Sequence, residues 1–594
     1  MKNFLTSFLA ALLAVVVGGM LSTFIWIMIL VGAVAASSGP ATVVEPHSIL
    51  TVNLDENITD APASDPFAQL DLMSMNIDKS LSLYKVLCAI DAAKTDNRID
   101  GIYLRFTGSG TVNSANLEEI RNAIDDFRNE SGKFVVAYNE TYSQAAYYLA
   151  SVADRVYLQP EGGLDWHGLS FNVMFYKGLL DKLGIAVEVF RPTACKYKSA
   201  VEPYILTQMS EANRRQMSEL ADSMWATITE AVAQSRGISV EQLNALADNL
   251  AVTLPEEALA NGMVDGLLYE DQMDDIFAEL GAQTARNGSY NFVTLGQYAA
   301  QTISAGSFKA DRIAIIYAEG DIVDGYGDTS RIYGNSLAEL IKSARSDEGI
   351  KAVVLRVNSP GGSALASDVI WREMELLRAE KPVIVSMGGY AASGGYYISA
   401  PADAIVADNL TLTGSIGVFG IMPSAGGFLK NKLGITFDAV NTNTSADMGS
   451  AVRPMTPAER ATMMRGVDKV YTTFTNLVSE GRNLPIEKVL DIAGGRVWSG
   501  REGIDIGLVD ANGGLKSAIA IAADKAAAGD DYRVEEIVEE PTGLAQIFAA
   551  LNVRATEKYM QTKLGTLFGE YVKIRESVER QGIQTYCPYS VTIE

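Results

Sequence analysis

The sequence predicts an α/β protein in which one domain occurs twice in tandem. Short apolar runs alternate with amphipathic stretches, which is the pattern of strands and helices around a mostly parallel sheet. Several segments of the first half recur in the second half at an almost constant spacing, as expected for an internal duplication. An uncharged N-terminal segment adds one predicted transmembrane helix ahead of the two copies.

Residues 1–40 are predicted to form a membrane anchor. Phe4 to Ala36 contains no charged side chain, and it is longer than the ~20 residues that a spanning helix needs. Lys2 lies on its N-terminal side, so the positive-inside rule keeps the start cytoplasmic and exports the remainder of the chain. The small residues Ala33-Val-Ala35 also resemble a cleavage site, and a removed signal peptide stays the alternative.

Residues 45–290 are predicted to form the first copy of the domain. Strands are expected where short apolar runs occur, and helices where apolar residues recur with helical spacing. Residues 55–78 are polar and irregular. The predicted elements are, in order, a strand at His47–Asn53, a helix at Leu81–Ala92, a strand at Ile102–Phe106, a helix at Leu117–Phe127 and a strand at Phe134–Tyr138.

Residues 311–530 are predicted to form the second copy, which opens with strands at Arg312–Tyr317 and Val353–Val357. Residues 285–310 are predicted to link the copies. Residues 531–594 are predicted to be a helical tail, helical over 544–580, that serves assembly or covers the last domain. The clearest matches are Tyr396–Asp403 with Tyr147–Asp154, Lys432–Ile435 with Lys182–Ile185, and Ser450–Pro454 with Ser199–Pro203, at offsets of 249, 250 and 251 residues.

Composition excludes several classes of function. A net charge of −24 argues against nucleic acid as a partner, because no basic face could offset it. Three scattered cysteines indicate neither a disulfide framework nor a thiolate metal site. We interpret His47 as a surface linker residue and His167 as a packed turn residue. With no other histidine in the chain, a nucleophilic serine is predicted to use a different base.

The stretch Met387–Ser399 contains the candidate nucleophile. It follows a predicted buried strand at Lys381–Ser386 and places Ala-Ser-Gly-Gly immediately before a predicted helix. A strand-to-helix turn of this kind exposes the Ser393 hydroxyl beside unpaired helix N–H groups. The alternative is a tight turn in which the serine only caps the helix.

The register of the repeat indicates a composite site. Ser393 aligns with Gln144 of the first copy, and Lys198 aligns with Gly449 of the second, so each copy keeps one reactive group that the other lacks. A serine needs a base, and a buried lysine with a lowered pKa can supply one. Lys196 is the rival base, and the register favours Lys198. The alternative to a composite site is that these two loop positions diverged independently between the copies.

Two further loops complete the candidate site. Asn358–Ser363 directly follows a predicted strand, and its glycines let backbone N–H groups approach a ligand closely. The N–H groups of Gly362 and Gly394 are candidate donors to an oxyanion. The loop Thr413–Gly417 contains Ser415, which either orients the lysine amine by a hydrogen bond or caps a turn.

Taken together, these motifs resemble the signal peptide peptidase A (SppA) family. The duplication and the N-terminal anchor match its long, two-copy form. The resemblance implies that each copy has the Clp-protease/crotonase-like fold. The motifs that carry it are Asn358-Ser-Pro-Gly-Gly362, Ala391-Ala-Ser-Gly-Gly-Tyr-Tyr397, Thr413-Gly-Ser-Ile-Gly417 and Lys198-Ser-Ala-Val-Glu-Pro203.

The resemblance also implies a serine–lysine peptidase with defined roles, and no metal, nucleotide or other cofactor. Cleaved signal peptides and other unfolded peptides would be the substrates. The enzyme would be a homotetramer anchored by one span in the bacterial inner membrane, with its catalytic body on the periplasmic side. The implied assignments are Ser393 as nucleophile, Lys198 as general base, Ser415 as the residue that orients the lysine, and Gly361, Gly362 and Gly394 at the oxyanion hole.

Two other functions compete with this interpretation. An acyl-CoA enzyme on a crotonase-like scaffold would share the glycine-rich loop, but it explains neither the anchor nor a serine and a lysine divided between copies. A catalytically inactive membrane scaffold would share the fold but would not cleave peptides. The sequence is compatible with a serine–lysine pair formed within one chain or across a subunit boundary.

Overall fold

In the computed structural model of the chain, the described residues are 44–53, 57–62, 70–71, 76–77, 80–106, 112–302, 311–327, 331–529, 532–538 and 583–587, with the isolated Gly18. Apart from Gly18, the predicted anchor at 1–40 lies outside these ranges. The predicted helical stretch at 544–580 also lies outside them. Within the described ranges, none of the helices is both long enough and apolar enough to cross a membrane.

In the described part of the first copy, six parallel strands form one sheet. Parallel sheets are covered on both faces, so their strands are apolar along most of their length. Two short ribbons lie outside this sheet, formed by β2 (Ile58–Thr59) with β5 (Leu81–Ser82) and by β3 (Leu70–Asp71) with β4 (Asn76–Ile77). The six strands are, in spatial order, β10 (Gly266–Leu267), β8 (Arg155–Leu164), β7 (Phe134–Tyr142), β6 (Ile99–Leu104), β1 (Ser48–Val52) and β11 (Asn291–Thr294).

Helices separate the strands of the first copy, as the alternating pattern predicts. Side-chain oxygens cap several of them; Ser210, for example, accepts a hydrogen bond from the N–H of Asn213 at the start of a long helix. These helices are α1 (Leu83–Thr95), α2 (Ser114–Ser131), α3 (Gln144–Ala150), α4 (Lys177–Leu183), α5 (Glu202–Ile205), α6 (Glu211–Arg236), α7 (Val240–Asp248), α8 (Pro255–Ala260), α9 (Met273–Glu279) and α10 (Leu295–Thr302), with 3₁₀ turns at Ser199–Val201 and Glu270–Gln272.

The second copy has a sheet of the same type, with eight strands in the described residues. Neighbouring strands are parallel except for one antiparallel pair at the edge, β19 with β21. The central strand β17 is buried along nearly its whole length, as its apolar sequence predicts. The strands are, in chain order, β12 (Arg312–Glu319), β15 (Ile350–Ser359), β17 (Val383–Ala392), β18 (Ala404–Ala407), β19 (Leu412–Gly414), β21 (Val497–Ser499), β22 (Ala511–Asn512) and β23 (Arg533–Ile537).

The helices of the second copy again follow the strands along the chain. The longest begins with a capping box, in which the Thr456 hydroxyl accepts from the N–H of Glu459 and the Glu459 carboxylate accepts from the N–H of Thr456. These helices are α11 (Gly334–Ser346), α12 (Ala364–Arg378), α13 (Gly394–Ser399), α14 (Gly426–Leu433), α15 (Pro457–Gly481), α16 (Ile486–Ile492), α17 (Gly500–Ile506) and α18 (Leu515–Lys525).

A third sheet joins the two copies. Strand β9 comes from the first copy and pairs antiparallel with β20 of the second copy. A strand from the C-terminal end of the chain, β24, lies between β20 and β16 and is antiparallel to both. The six strands are, in spatial order, β14 (Ile332–Tyr333), β13 (Ile322–Val323), β16 (Gly361–Ser363), β24 (Ile583–Tyr586), β20 (Phe419–Ser424) and β9 (Ala186–Phe190).

The structure corrects two predictions about segment boundaries. The stretch 285–310, predicted as a linker, contains β11, which pairs with β1, and it also contains α10. The stretch 531–594, predicted as a helical tail, contains β23, which pairs with β12 at the sheet edge, and β24 in the third sheet. Edge strands of four or five residues show too little periodicity to be recognised in a polar context.

The two copies share buried contacts, and the most polar of these centres on Arg356 in β15. Its guanidinium is fully buried, and its Nε donates to Oδ1 of Asp60 at 2.7 Å. Its Nη1 lies 2.8 Å from Oε1 of Glu119, and its Nη2 donates to Oδ1 of Asn116 at 2.7 Å. All three partners belong to the first copy. The aligned Arg105 instead forms a partly exposed ion pair with Glu270.

We therefore expect Arg356→Met to destabilise the protein far more than Arg105→Met. Removing one partner of a buried ion pair typically costs about 3–5 kcal/mol, whereas a surface pair contributes about 0–1 kcal/mol. Thermal unfolding of the two variants against the unmodified chain measures the difference. Equal shifts in Tm for both variants would contradict a structural role for this network.

Candidate active site

The site lies where the carboxyl ends of adjacent parallel strands meet. Ala392 at the end of β17 is in register with Gly414 at the end of β19, so Ser393 and Ser415 follow side by side. Ser359 in β15 pairs with Ala391, which brings the Asn358–Ser363 loop to the same edge. Pairing between neighbouring strands therefore assembles loops that are distant in sequence.

Ser393 occupies a sharp strand-to-helix turn, as the sequence predicts. It lies between β17 and α13 with φ 55° and ψ −111°, a left-handed conformation that is uncommon for a residue with a side chain. Its N–H donates to the carbonyl of Gly414 at 2.8 Å, and its carbonyl accepts from the N–H of Tyr397 at 2.8 Å. The surrounding strands and helix thus hold a strained residue, which is typical of functional sites.

Lys198 reaches this serine from the first copy of the same chain. Its amine Nζ lies 2.6 Å from Oγ of Ser393. It also lies 2.9 Å from both the carbonyl oxygen and the hydroxyl of Ser415. Only 1% of the lysine surface is exposed. The structure therefore brings three of the predicted site residues into direct contact within one chain.

Burial lowers the pKa of Lys198 to about 7, because an ammonium ion loses its hydration in this position. The three polar contacts of the amine are neutral oxygens. In a neutral amine, two N–H bonds can donate to the oxygens of Ser415, which leaves the lone pair for the hydroxyl of Ser393. This arrangement is the one that a general base requires.

Ser415 contacts the lysine and is itself fixed by the backbone. Its φ is 51°, and its N–H donates to the carbonyl of Arg496 at 2.7 Å. Its hydroxyl donates to the carbonyl of Gly495 at 3.4 Å. Of the two alternatives from the sequence, the contact with the lysine amine is the one that the geometry favours.

The three glycines predicted for the oxyanion hole converge beside Ser393. The N–H of Gly394 opens helix α13 and has no acceptor within that helix. A side chain on Gly361 would place its Cβ 2.6 Å from the nitrogen of Gly394. The loops that contain these two residues can therefore approach this closely only because residue 361 is a glycine. The N–H of Gly361 donates to Oγ of Ser359 at 3.1 Å, and Gly362 is in register with Thr585 of β24.

The rival candidates lie elsewhere. Lys196 is exposed, and its amine lies over the ring of Tyr197. The side chain of His167 is exposed, so it is not the packed turn residue that we predicted. His47 contacts Asp100. Among the described residues, no group of three or more histidine, cysteine or acidic side chains is placed to hold a metal ion.

Sequence reasoning missed the groups that position the lysine. Gln216 of α6 donates to the carbonyl of Tyr197 and to the hydroxyl of Ser199, on either side of Lys198. A side chain on Gly495 would place its Cβ 2.6 Å from Cβ of Lys198. The segment that contains Gly495 shows no repeat match or motif that could have identified it.

Gln144, the residue of the first copy that aligns with Ser393, has a structural role. The amide of Gln144, which stands where the second copy has Ser393, accepts hydrogen bonds from the N–H groups of His167 and Gly168. It also donates to the carbonyl of Gly168. The first copy therefore uses this turn to hold a loop, whereas the second copy has Ser393 at the aligned position.

Comparison with known proteins supports the duplicated fold. The profile described as peptidase family S49 matches the chain twice, at residues 128–283 and 375–529, and the profile described as Clp protease matches residues 307–406. These matches confirm a duplicated, Clp-protease-like α/β organisation.

Three curated relatives resemble most of the chain. Protease 4 of Salmonella typhi is 37% identical over 484 residues, covering 80% of this chain and 77% of the relative. Protease 4 of Haemophilus influenzae is 32% identical over 564 residues, covering 91% and 90%. The chloroplastic serine protease SPPA of Arabidopsis thaliana is 34% identical over 498 residues, covering 81% and 69%.

The packing around Lys198 predicts that Gly495→Ala impairs catalysis. The added methyl group would push against the lysine backbone and move its amine away from Ser393, so we expect kcat/KM to fall roughly 100-fold. Gly449→Ala is the matched control, because Gly449 has a similar positive φ of 84° but open space around it.

Steady-state hydrolysis of an unstructured peptide measures kcat/KM of both variants, and circular dichroism verifies that they fold. Equal activity of the two variants would show that the position of the lysine does not depend on Gly495.

Proposed function

The chain belongs to peptidase family S49 and is a serine protease, and we propose that it cleaves peptide bonds with Ser393 as nucleophile and Lys198 as general base. The observation that carries this proposal is the 2.6 Å contact between Nζ of Lys198 and Oγ of Ser393. A neutral amine at this distance can accept the serine proton as the hydroxyl attacks.

The proposed reaction is acyl transfer in two stages. Oγ of Ser393 attacks the peptide carbonyl carbon while its proton passes to Lys198. The negative charge that develops on the carbonyl oxygen is stabilised by the backbone N–H groups of Gly362 and Gly394, while Gly361 lets the two loops approach closely. The lysine ammonium then protonates the leaving amine, and water hydrolyses the acyl-enzyme with the neutral lysine as base. Ser415 keeps the amine oriented throughout.

We extend the proposal to location and substrate on the strength of the sequence. The uncharged stretch from Phe4 to Ala36 would anchor the enzyme in the bacterial inner membrane, with residues 45–290 and 311–530 as the two exported copies. Cleaved signal peptides are the proposed substrates, and a homotetramer is the proposed assembly. An extended, unfolded peptide suits a serine enclosed between strands better than a folded protein does.

If Ser393 and Lys198 act as one catalytic unit, Ser393→Ala and Lys198→Ala should each lower kcat/KM by about 10⁴-fold or more. Loss of either member of such a unit removes most of its contribution to the rate. Lys196→Ala is the matched control, because this neighbouring lysine is exposed, and its activity should stay within about twofold of the unmodified chain. Hydrolysis of a signal-sequence peptide and labelling of Ser393 by a fluorophosphonate provide two readouts. Undiminished hydrolysis by Lys198→Ala would exclude lysine as the base.

The lowered pKa of Lys198 predicts the pH dependence of activity. The amine is protonated below its pKa and cannot accept a proton, so kcat/KM should fall about tenfold per pH unit below pH 7 and level off above it. A pH–rate profile on a peptide without ionisable groups in this range tests the expectation. A profile that continues to rise beyond pH 9 would show that the lysine keeps an ordinary pKa.

A further inference from the structure

The catalytic groups are enclosed in this structure. Ser393 has 0% and Lys198 has 1% of its surface exposed. A peptide bond cannot reach Oγ of Ser393 unless a covering segment moves. Strand β24, which lies more than 180 residues beyond the serine in the chain, pairs with the predicted oxyanion loop.

Strand β24 fills the space between two strand edges at the site. On one side, Gly362 pairs with Thr585 and Gly361 pairs with Tyr586. On the other side, Phe419 pairs with Gln584. Both neighbours run antiparallel to β24. An extended substrate peptide would use the same two edges, because adding a strand to exposed edges is a common mode of peptide recognition.

Thr585 makes the closest contacts with the catalytic loops. It is fully buried, and its hydroxyl donates to the carbonyl of Gly362 at 3.2 Å. A side chain on Gly361 would collide with the carbonyl oxygen of Thr585, and one on Gly394 would lie 2.9 Å from its hydroxyl. The strand thus brings the carbonyl oxygen of Thr585 next to Gly361 and its hydroxyl next to Gly394, two of the glycines predicted for the oxyanion hole.

Cys587 continues the strand towards the lysine. Its N–H donates to the carbonyl of Pro360 at 2.6 Å, directly before the two glycines. Its thiol is fully buried and close enough to Lys198 to influence the amine electrostatically.

We propose that Ile583–Cys587 is an internal ligand of the substrate groove, which occupies the position of an extended substrate and must leave before a peptide is cleaved. This inference rests on the proposed function of Ser393 and Lys198. Because the segment belongs to the same chain, its effective concentration at the groove is on the order of millimolar. A substrate therefore competes with it, and the competition appears as a raised apparent KM.

The two strand edges also indicate what can replace β24. Thr585 is fully buried, with its carbonyl oxygen next to Gly361 and its hydroxyl next to Gly394. A longer extended peptide can pair with more of β20 than the two residues that β24 pairs with, and it then gains hydrogen bonds that β24 lacks. Extended, unfolded peptides are therefore the ligands best able to displace β24.

The first test is Thr585→Pro in the full-length chain. Proline removes an N–H and is not tolerated in a central strand, so it should release β24 from the groove. We expect the apparent KM for a short peptide to fall roughly tenfold while kcat changes less than twofold. Ser590→Pro, which adds the same residue outside β24, is the control and should leave both constants unchanged.

A second test remains informative if Thr585→Pro misfolds. A synthetic peptide with the sequence of Gly582–Cys587 should inhibit hydrolysis competitively, and a scrambled peptide of equal composition should not. Hydrogen exchange of the unmodified chain should also show faster exchange over Ile583–Cys587 once a peptidyl aldehyde occupies the groove, because the strand is displaced.

Two outcomes would overturn the inference and can be told apart from failure of the proposed function. If the unmodified chain hydrolyses peptides, Thr585→Pro folds with an unchanged KM, and exchange over β24 does not respond to the aldehyde, then β24 is a permanent part of the site. If neither chain hydrolyses any peptide and Ser393 resists fluorophosphonate in both, then the catalytic assignment itself is wrong.

Discussion

A buried, uncharged amine at the junction of the two copies is the feature on which the rest of the site depends. Lys198 has neutral oxygens as its polar contacts, so protonation would leave an ammonium ion without hydration or a carboxylate beside it. The β9–β20 pairing brings its loop across from the first copy, and Gly495 leaves just enough space for its backbone. Desolvation, which normally destabilises a protein, is here what gives a lysine the properties of a base near neutral pH.

The duplication explains how one site came to use two copies of a fold. Each copy has a mostly parallel sheet with a turn at its carboxyl edge, but the sequences of the turns have diverged. Gln144 binds a neighbouring loop where the second copy presents Ser393, and Gly449 stands where the first copy presents Lys198. Arg356, buried among side chains of the first copy, helps to hold the two halves in the orientation that this division of labour requires.

Much of this arrangement could be predicted from the sequence, and the reasons are local. The glycine-rich turn at Ser393 and the constant offset of the repeat identified both members of the serine–lysine pair, because each depends on residues that are close in sequence. Three features could not be predicted. Edge strands β11 and β23 are too short to show periodicity. Gln216 acts through a contact that only the folded chain creates. Strand β24 joins the site through pairing with β16 and β20, and nothing in its four residues indicates those partners.

The central claim is that Lys198 is uncharged at neutral pH in the folded protein, and a direct titration tests it. Full-length protein labelled with ¹³C at the lysine ε-carbons, with Lys198→Arg to assign the resonance, would report the charge of this amine by NMR. The account predicts a midpoint near pH 7 for Lys198, well separated from the other lysines. A midpoint near the ordinary value of about 10.4 would contradict the account, because the amine would then be charged when the serine needs a base.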